Sequence, residues 1–407
     1  MKQVIREANG TAASWRMRRI GITYAVISLF VGFTVGLFRL FKDNGTFYLQ
    51  TMTPLYHLHS IFLIFGFLGG LLMTERLAGS AGVTGRNSVK FSAAMVLLSL
   101  AGELALPTGW VYQYAWLRIL GGILLMAGAL MFTLLLIRLG RMASDYSSFG
   151  IMASGTVSLA LAALLTGFEL PNDNLPLIMQ MLLFPVLFIN GERVELTRFT
   201  YFPHKKTLVA SVFALSWIAV GTTGISSLMY KTGVAAYALM LTIAMLIVLL
   251  IAAINLAMEQ KRSMPGAVTR LQIYLKRGIN IAYLWLLAGV MLFILRINGV
   301  TGLYDASIHA IALGFIATFI VAHGPVIFPV VLGRKADISK LTFMSLYLLT
   351  LANVLRVFGD IAKIFAGNMT AVLAVSEDVV SMSAVVLVLS VIAFAVMIRR
   401  MISTADR

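Results

Sequence analysis

DASIHAIALGFIATFIVAHGPVIFPVVLGRK, residues 305–335, is the stretch whose reading decides the fold. Residues 306–333 contain no Asp, Glu, Lys or Arg, and roughly 20 apolar residues suffice to cross the hydrocarbon of a bilayer as one helix. The run predicts a membrane span. It also carries two of the chain's five histidines, His309 and His323. On an ideal α-helix these are separated by roughly 21 Å of rise and about 40° of rotation, so they share a face at opposite ends of the membrane. An earlier stretch echoes this one. His59-Ser60-Ile61-Phe62-Leu63-Ile64-Phe65 matches His309-Ala310-Ile311-Ala312-Leu313-Gly314-Phe315 at His, Ile, Leu and Phe.

Composition extends the reading to the whole chain. Of 407 residues, 60% are hydrophobic and 12% charged, with a mean hydropathy of +0.93; a soluble domain has about 25% charged residues. The expected class is an all-α polytopic membrane protein in contact with lipid. The absence of cysteine excludes disulfides, thiolate metal sites, iron–sulfur clusters and covalent haem attachment. A metal would need His, Met, Tyr, carboxylate or backbone ligands. The formal net charge of +16 would point to nucleic acid in a soluble chain, but here the basic residues sit between apolar runs and serve topology, so no nucleic-acid partner is expected.

Twelve spans are expected, at about 20–41, 54–74, 90–107, 114–138, 149–168, 175–191, 207–229, 234–258, 278–296, 305–332, 339–362 and 376–399. A basic segment, 1–19, precedes them and is read as retained rather than as a signal peptide. Residues 20–399 form one membrane domain and 400–407 a tail. With the N-terminus cytoplasmic, 25 of the 32 Lys and Arg fall on the inner side; the other seven are Arg39, Lys42, Arg118, Lys231, Arg296, Arg356 and Lys363. Both termini are therefore expected in the cytoplasm. His57, His59 and His309 then lie near the outer face and His323 near the inner one.

Imidazoles from different helices at one depth can ligate one metal, as the axial ligands of a haem iron do. His57 and His59 are about 200° apart around a helix, so only one can face a given partner. The echo with His309 favours His59. The bland alternative is a histidine that hydrogen-bonds a neighbouring helix. Haem propionates need cations near an aqueous face, and Arg118, Arg296 and Arg356 are the candidates. Their alternatives are snorkelling, or pairing with Glu103, Asp305 or Asp360, the last being i+4 from Arg356. Asp305 precedes His309 by one turn, where its carboxylate can orient the ring nitrogen not bound to metal.

At the inner end, Pro325 and Pro329 each free a carbonyl four residues earlier, which predicts a kink that exposes His323 to a cavity. Met73 holds the corresponding place in the earlier stretch, and His with Met is a copper set; Met is equally a packing residue. Residues 191–198, with Glu192, Arg193, Glu195 and Arg198, read as a helix extension laced by ion pairs, and His204 as a surface residue. Glu103, an acid inside a span, is either a proton relay or a partner of Arg118. Tyr48, Trp110, Tyr112, Tyr114 and Trp116 read as an outer aromatic belt.

A span opening with His57-x-His59 and running into G-F-L-G-G-L-L-M-T, together with a late span beginning H-A-I-A-L-G-F-I-A-T at His309 and ending L-G-R, resembles the NnrS family. Those are twelve-span haem- and copper-containing inner-membrane proteins associated with nitric oxide metabolism, denitrification and nitrosative stress. The resemblance implies haem b held by His309 and by His59 or His57, copper as a further metal, location in the inner membrane, and nitric oxide and respiratory electron-transfer proteins as partners. The chain departs at Ser60, where the family has an acid, and at Leu332-Gly333-Arg334, where it has L-G-H-T-G-R. Similarity to subunit I of haem-copper oxidases is more distant. That chemistry needs more histidines than this chain has near its spans, so a complete oxygen-reducing site is excluded by counting. The alternative functions are a secondary transporter of a small solute or metal ion, with Glu103 as coupling acid, and a non-catalytic subunit of a respiratory complex.

Overall fold

The computed structural model describes residues 2–43, 58–80, 85–168, 174–197, 206–230, 269–332, 338–367 and 369–403. Among these the regular structure is helical: α1 (Lys2–Asp43), α2 (His59–Ile61), a π-helical segment π1 (Phe62–Gly69), α3 (Gly70–Ser80), α4 (Gly85–Val111), α5 (Ala115–Met142), α6 (Tyr146–Thr166), α7 (Leu175–Thr197), α8 (Lys206–Met229), α9 (Arg270–Ile297), α10 (Tyr304–His309), a second π-helical segment π2 (Ala310–Ala317), α11 (Thr318–Leu332), α12 (Lys340–Ala366) and α13 (Thr370–Ser403). Eleven helices among the described residues are long and apolar enough to cross a membrane. The span expected at 234–258 lies outside the described residues. The chain is an all-α polytopic membrane protein, divided by its internal contacts into residues 1–245 and 246–407.

In the first unit, α1 packs along π1 and α3, and α4, α5, α6 and α7 pack each against the next, with α8 on α6 and α7. Glycines set the spacing of α4 and α5. A Cβ on Gly121 would fall 2.5 Å from the Leu106 backbone nitrogen, and one on Gly102 would fall 2.9 Å from the Gly121 carbonyl oxygen. Such small residues let two backbones meet where apolar side chains would meet only lipid-like surface. The apolar window of α7 is wholly buried. That burial explains why α7 tolerates Pro185 and the buried polar side chains of Gln180, Asn190, Glu192 and Arg193, which hydrocarbon would not accept. Asp145 caps α6, its two carboxylate oxygens accepting from the Ser148 N–H at 3.2 Å and the Ser148 hydroxyl at 2.7 Å.

In the second unit, Thr269 and Gln272 close a reciprocal capping box at the start of α9, which then packs on α10, π2 and α11, while α12 pairs with α13. The helix continues through Pro325 and Pro329 to Leu332. The departure from α geometry comes earlier, at π2, whose i→i+5 turns wind fewer degrees per residue. The α-helical arithmetic that put His309 and His323 on one face therefore does not apply between them. Pro325 has no N–H to give the Val321 carbonyl, and the Tyr274 hydroxyl of α9 donates to that oxygen at 2.8 Å. Tyr274 is fully buried among Val321, Leu346 and Leu349, so the bond has no competitor from water. Replacing Tyr274 by Phe leaves a buried carbonyl without a donor and is expected to cost about 1–3 kcal/mol, read as a lower thermal unfolding midpoint in detergent with helix content unchanged.

Candidate functional site

Both histidines of the echo precede an eight-residue π segment, His309 immediately and His59 with Ser60 and Ile61 between. Single π turns inside α-helices occur frequently at functional sites. His309 closes α10, and its Nδ1 lies 2.8 Å from the Asp305 backbone oxygen. A carbonyl only accepts, so Nδ1 carries the hydrogen and, in the neutral ring, Nε2 carries the lone pair, which is the ligating nitrogen of a metal-bound imidazole. The expected orienting group was the Asp305 carboxylate. Its backbone does the orienting instead, because the i−4 carbonyl lies directly beneath the ring, while the carboxylate faces Arg356 at 4.0 Å.

His323 repeats the device, Nδ1 donating to the Phe319 carbonyl at 2.9 Å. Its ring lies flat on Phe319 at 4.5 Å between centroids, and Phe319 in turn packs with Phe315 and Tyr283. At 7% exposure it is buried against Phe319 rather than opened to solvent by the prolines. In the first unit, His59 starts α2 with its ring 3.9 Å from the place where Gly36 of α1 would carry a Cβ. A side chain at position 36 would sit directly on the imidazole. His57, His204 and Tyr48 lie outside the described residues.

The three candidate arginines are each engaged by the protein. Arg356 donates from Nε to Asp360 at 2.9 Å, the i, i+4 pair expected. Arg296 lies over the Tyr304 ring at 4.8 Å. Arg118 lies over Trp110 at 4.2 Å rather than against Glu103, and its buried Nε–H makes no hydrogen bond. Trp110 donates to the Thr166 carbonyl; Tyr112, Tyr114 and Trp116 are exposed, as a belt at an interface would be. Among the described residues no three of His, Asp and Glu converge as a metal site. Met73 is buried, and its sulfur accepts from the Ser99 hydroxyl.

Several participants escape a reading by span. Arg76 of α3 bridges to α7, with one guanidinium nitrogen 2.7 Å from Glu192 and the other 2.7 Å from Glu195, and it lies over Phe149 and Phe188. The acids expected to pair along residues 191–198 thus pair across helices, with Arg76; Arg198 lies outside the described residues. In the first unit a Cβ on Gly66 of π1 would overlap the Glu103 carboxylate. In the second, a Cβ on Gly314 of π2 would fall 2.6 Å from the Asn353 amide nitrogen and 2.5 Å from Trp285. A buried polar side chain therefore rests on a glycine of each π segment. The sequence signalled this in part, since 59 to 309 and 103 to 353 are the same separation, while Gly66 and Gly314 are two residues out of that register.

Gly66→Ala is expected to be destabilising by about 1–3 kcal/mol, as overpacking is. Paired with Glu103→Ala the added methyl enters vacated space, so the double variant should lose less than the sum of the single losses. Thermal unfolding of all four proteins measures the coupling.

Comparison with solved structures finds the same fold in a heme-copper terminal oxidase dimer, with a TM-score of 0.62 and 12% identity over 96% of this chain and 84% of that one. Comparison with curated proteins finds no match. A family model described as Domain of unknown function (DUF8744) matches residues 18–397, and with nearly the whole membrane region matched, the chain belongs to that family.

Proposed function

We propose that the protein binds haem b in the membrane, that His309 would hold its iron, as would His59 or His57, and that such a haem would serve nitric oxide handling or the electron transfer associated with it. The observation that carries this reading is the Nδ1–H bond from His309 to the Asp305 carbonyl. It fixes the tautomer and orients the ring, so that Nε2 is the basic nitrogen of the imidazole. The likeness in fold to a heme-copper terminal oxidase supports a helical frame of this kind as a carrier of haem, and the motifs at His57–His59 and His309 support the nitric oxide setting.

Haem supplies an iron that binds diatomic gases and changes oxidation state. The chain's own residues do the rest. The i−4 carbonyl orients His309, and the Arg118 Nε–H is a donor for an anionic propionate. Arg356 is held by Asp360 and Asp305, so propionate binding there would share the guanidinium with both acids. Among the described residues no three of His, Cys, Asp and Glu are grouped as a metal would need, and copper is not part of this proposal. Glu103, an acid buried within an apolar span, favours a second reading, a proton-coupled transporter. Proton-driven uptake of a small solute into vesicles by haem-free protein would put that reading first.

Protein purified in detergent from haem-replete cells should show a Soret band and sharp α and β bands after dithionite reduction. The bands should disappear in His309→Ala and in one of His59→Ala and His57→Ala. Folded wild-type protein without a Soret band would exclude the haem reading. Asp305→Ala keeps the backbone carbonyl and is expected to retain the wild-type spectrum; its loss would move the orienting role to the carboxylate.

A further inference from the structure

Glu103 lies within the apolar span Lys90–Val111 and is 4% exposed. Neither of its carboxylate oxygens, nor the buried hydroxyl of Tyr24 on α1, meets a partner in full hydrogen-bond geometry, although the Tyr24 and Ser28 hydroxyls stand against the carboxyl group. Tyr24 and Ser28 are its polar neighbours, and the ring of Tyr24 packs on Gly70 one turn beyond Gly66, on which the carboxyl group rests. Among the described residues no basic side chain faces it: π1 contains no titratable residue, and Arg118 of α5 lies over Trp110. The groove is built. Two glycines on one helix give it a floor, and an acid and a phenol enter it from the helices on either side.

We propose that Glu103 is a proton-binding site, its carboxyl group holding an exchangeable proton in the folded protein with Tyr24 and Ser28 as hydrogen-bond partners. Two independent observations carry this. An isolated carboxylate in hydrocarbon, with no cation beside it, costs several kcal/mol, and one bound proton removes the charge. The acid O–H then has a hydroxyl oxygen to donate to, and the Tyr24 O–H has the acid carbonyl oxygen. The second observation comes from the other unit. Asn353, 0% exposed and without a hydrogen bond for either amide atom, rests on the glycine of π2 as Glu103 rests on that of π1. A neutral amide is the nearest side-chain mimic of a neutral carboxylic acid, so the corresponding position is filled by a group that cannot ionise. The first unit keeps the shape and adds a proton that can leave.

The site does not depend on haem, and its test does not either. Infrared spectra of the full-length protein in detergent near neutral pH, in H2O and D2O, should show a protonated-carboxyl C=O band. It should shift on deuteration, be absent from E103Q, and move to higher frequency in Y24F as its donor is lost. A wild-type spectrum that E103Q leaves unchanged would overturn the proposal, and an unmoved band in Y24F would remove Tyr24 from the site. Bleaching of the band by sodium chloride but not choline chloride would assign the site to sodium ion and overturn the proton. Should E103Q fail to accumulate, wild-type protein treated with dicyclohexylcarbodiimide, which attacks protonated carboxyls in apolar surroundings, decides by peptide mass spectrometry. Modification at Glu103 supports the site, and none overturns it.

Discussion

Inside a bilayer a polar group finds its partner within the protein or does without, and the described helices are arranged around that constraint. The Val321 carbonyl released by Pro325 is taken by Tyr274. Buried hydroxyls turn back to their own helices, as Thr133 does to Ala129 and Ser216 to Val212. A charged side chain reaches a neighbouring helix, as Arg76 does to Glu192 and Glu195, and so does one short hydroxyl, Ser390, which donates to the Ser345 carbonyl. The helix richest in unsheltered polarity, α7, is the one with no lipid-facing side along its apolar window.

The histidines obey the same constraint, and their chemistry follows from it. A neutral imidazole has one N–H to satisfy, and on a helix the nearest acceptor is the carbonyl one turn back. Both His309 and His323 use it. The consequence is a fixed tautomer with Nε2 as the basic nitrogen, in a ring that at His323 lies stacked on Phe319. Packing, then, separates two residues that local bonding makes alike.

Most of the span pattern was legible, because hydrophobic length reports membrane crossing directly: the expected 114–138 and 175–191 became Ala115–Met142 and Leu175–Leu196. Charge pairing at i, i+4 was legible too, as at Arg356 and Asp360. What a linear reading missed lies across helices. Nothing local to Arg76 names Glu192, 116 residues away, and nothing local to Pro325 names Tyr274. The π segments escaped because their sequences, FLIFGFLG and AIALGFIA, differ from ordinary apolar helix only in the glycine that admits a neighbour's polar group. The Glu103–Arg118 pair was a reasonable electrostatic expectation, but the guanidinium found an indole face nearer its own helix start.

The clasp between Arg76 and α7 also bears on how the protein is made. Ribosomes deliver α3 long before α7, so the guanidinium enters the membrane system while both of its acids are still unsynthesised. Until they arrive it can be solvated only at the aqueous edge, which pins that end of the span to the side where basic residues are retained. Closure of the clasp is therefore a late event in assembly. It reports that six spans are in place, and it converts a topological anchor into a structural bond.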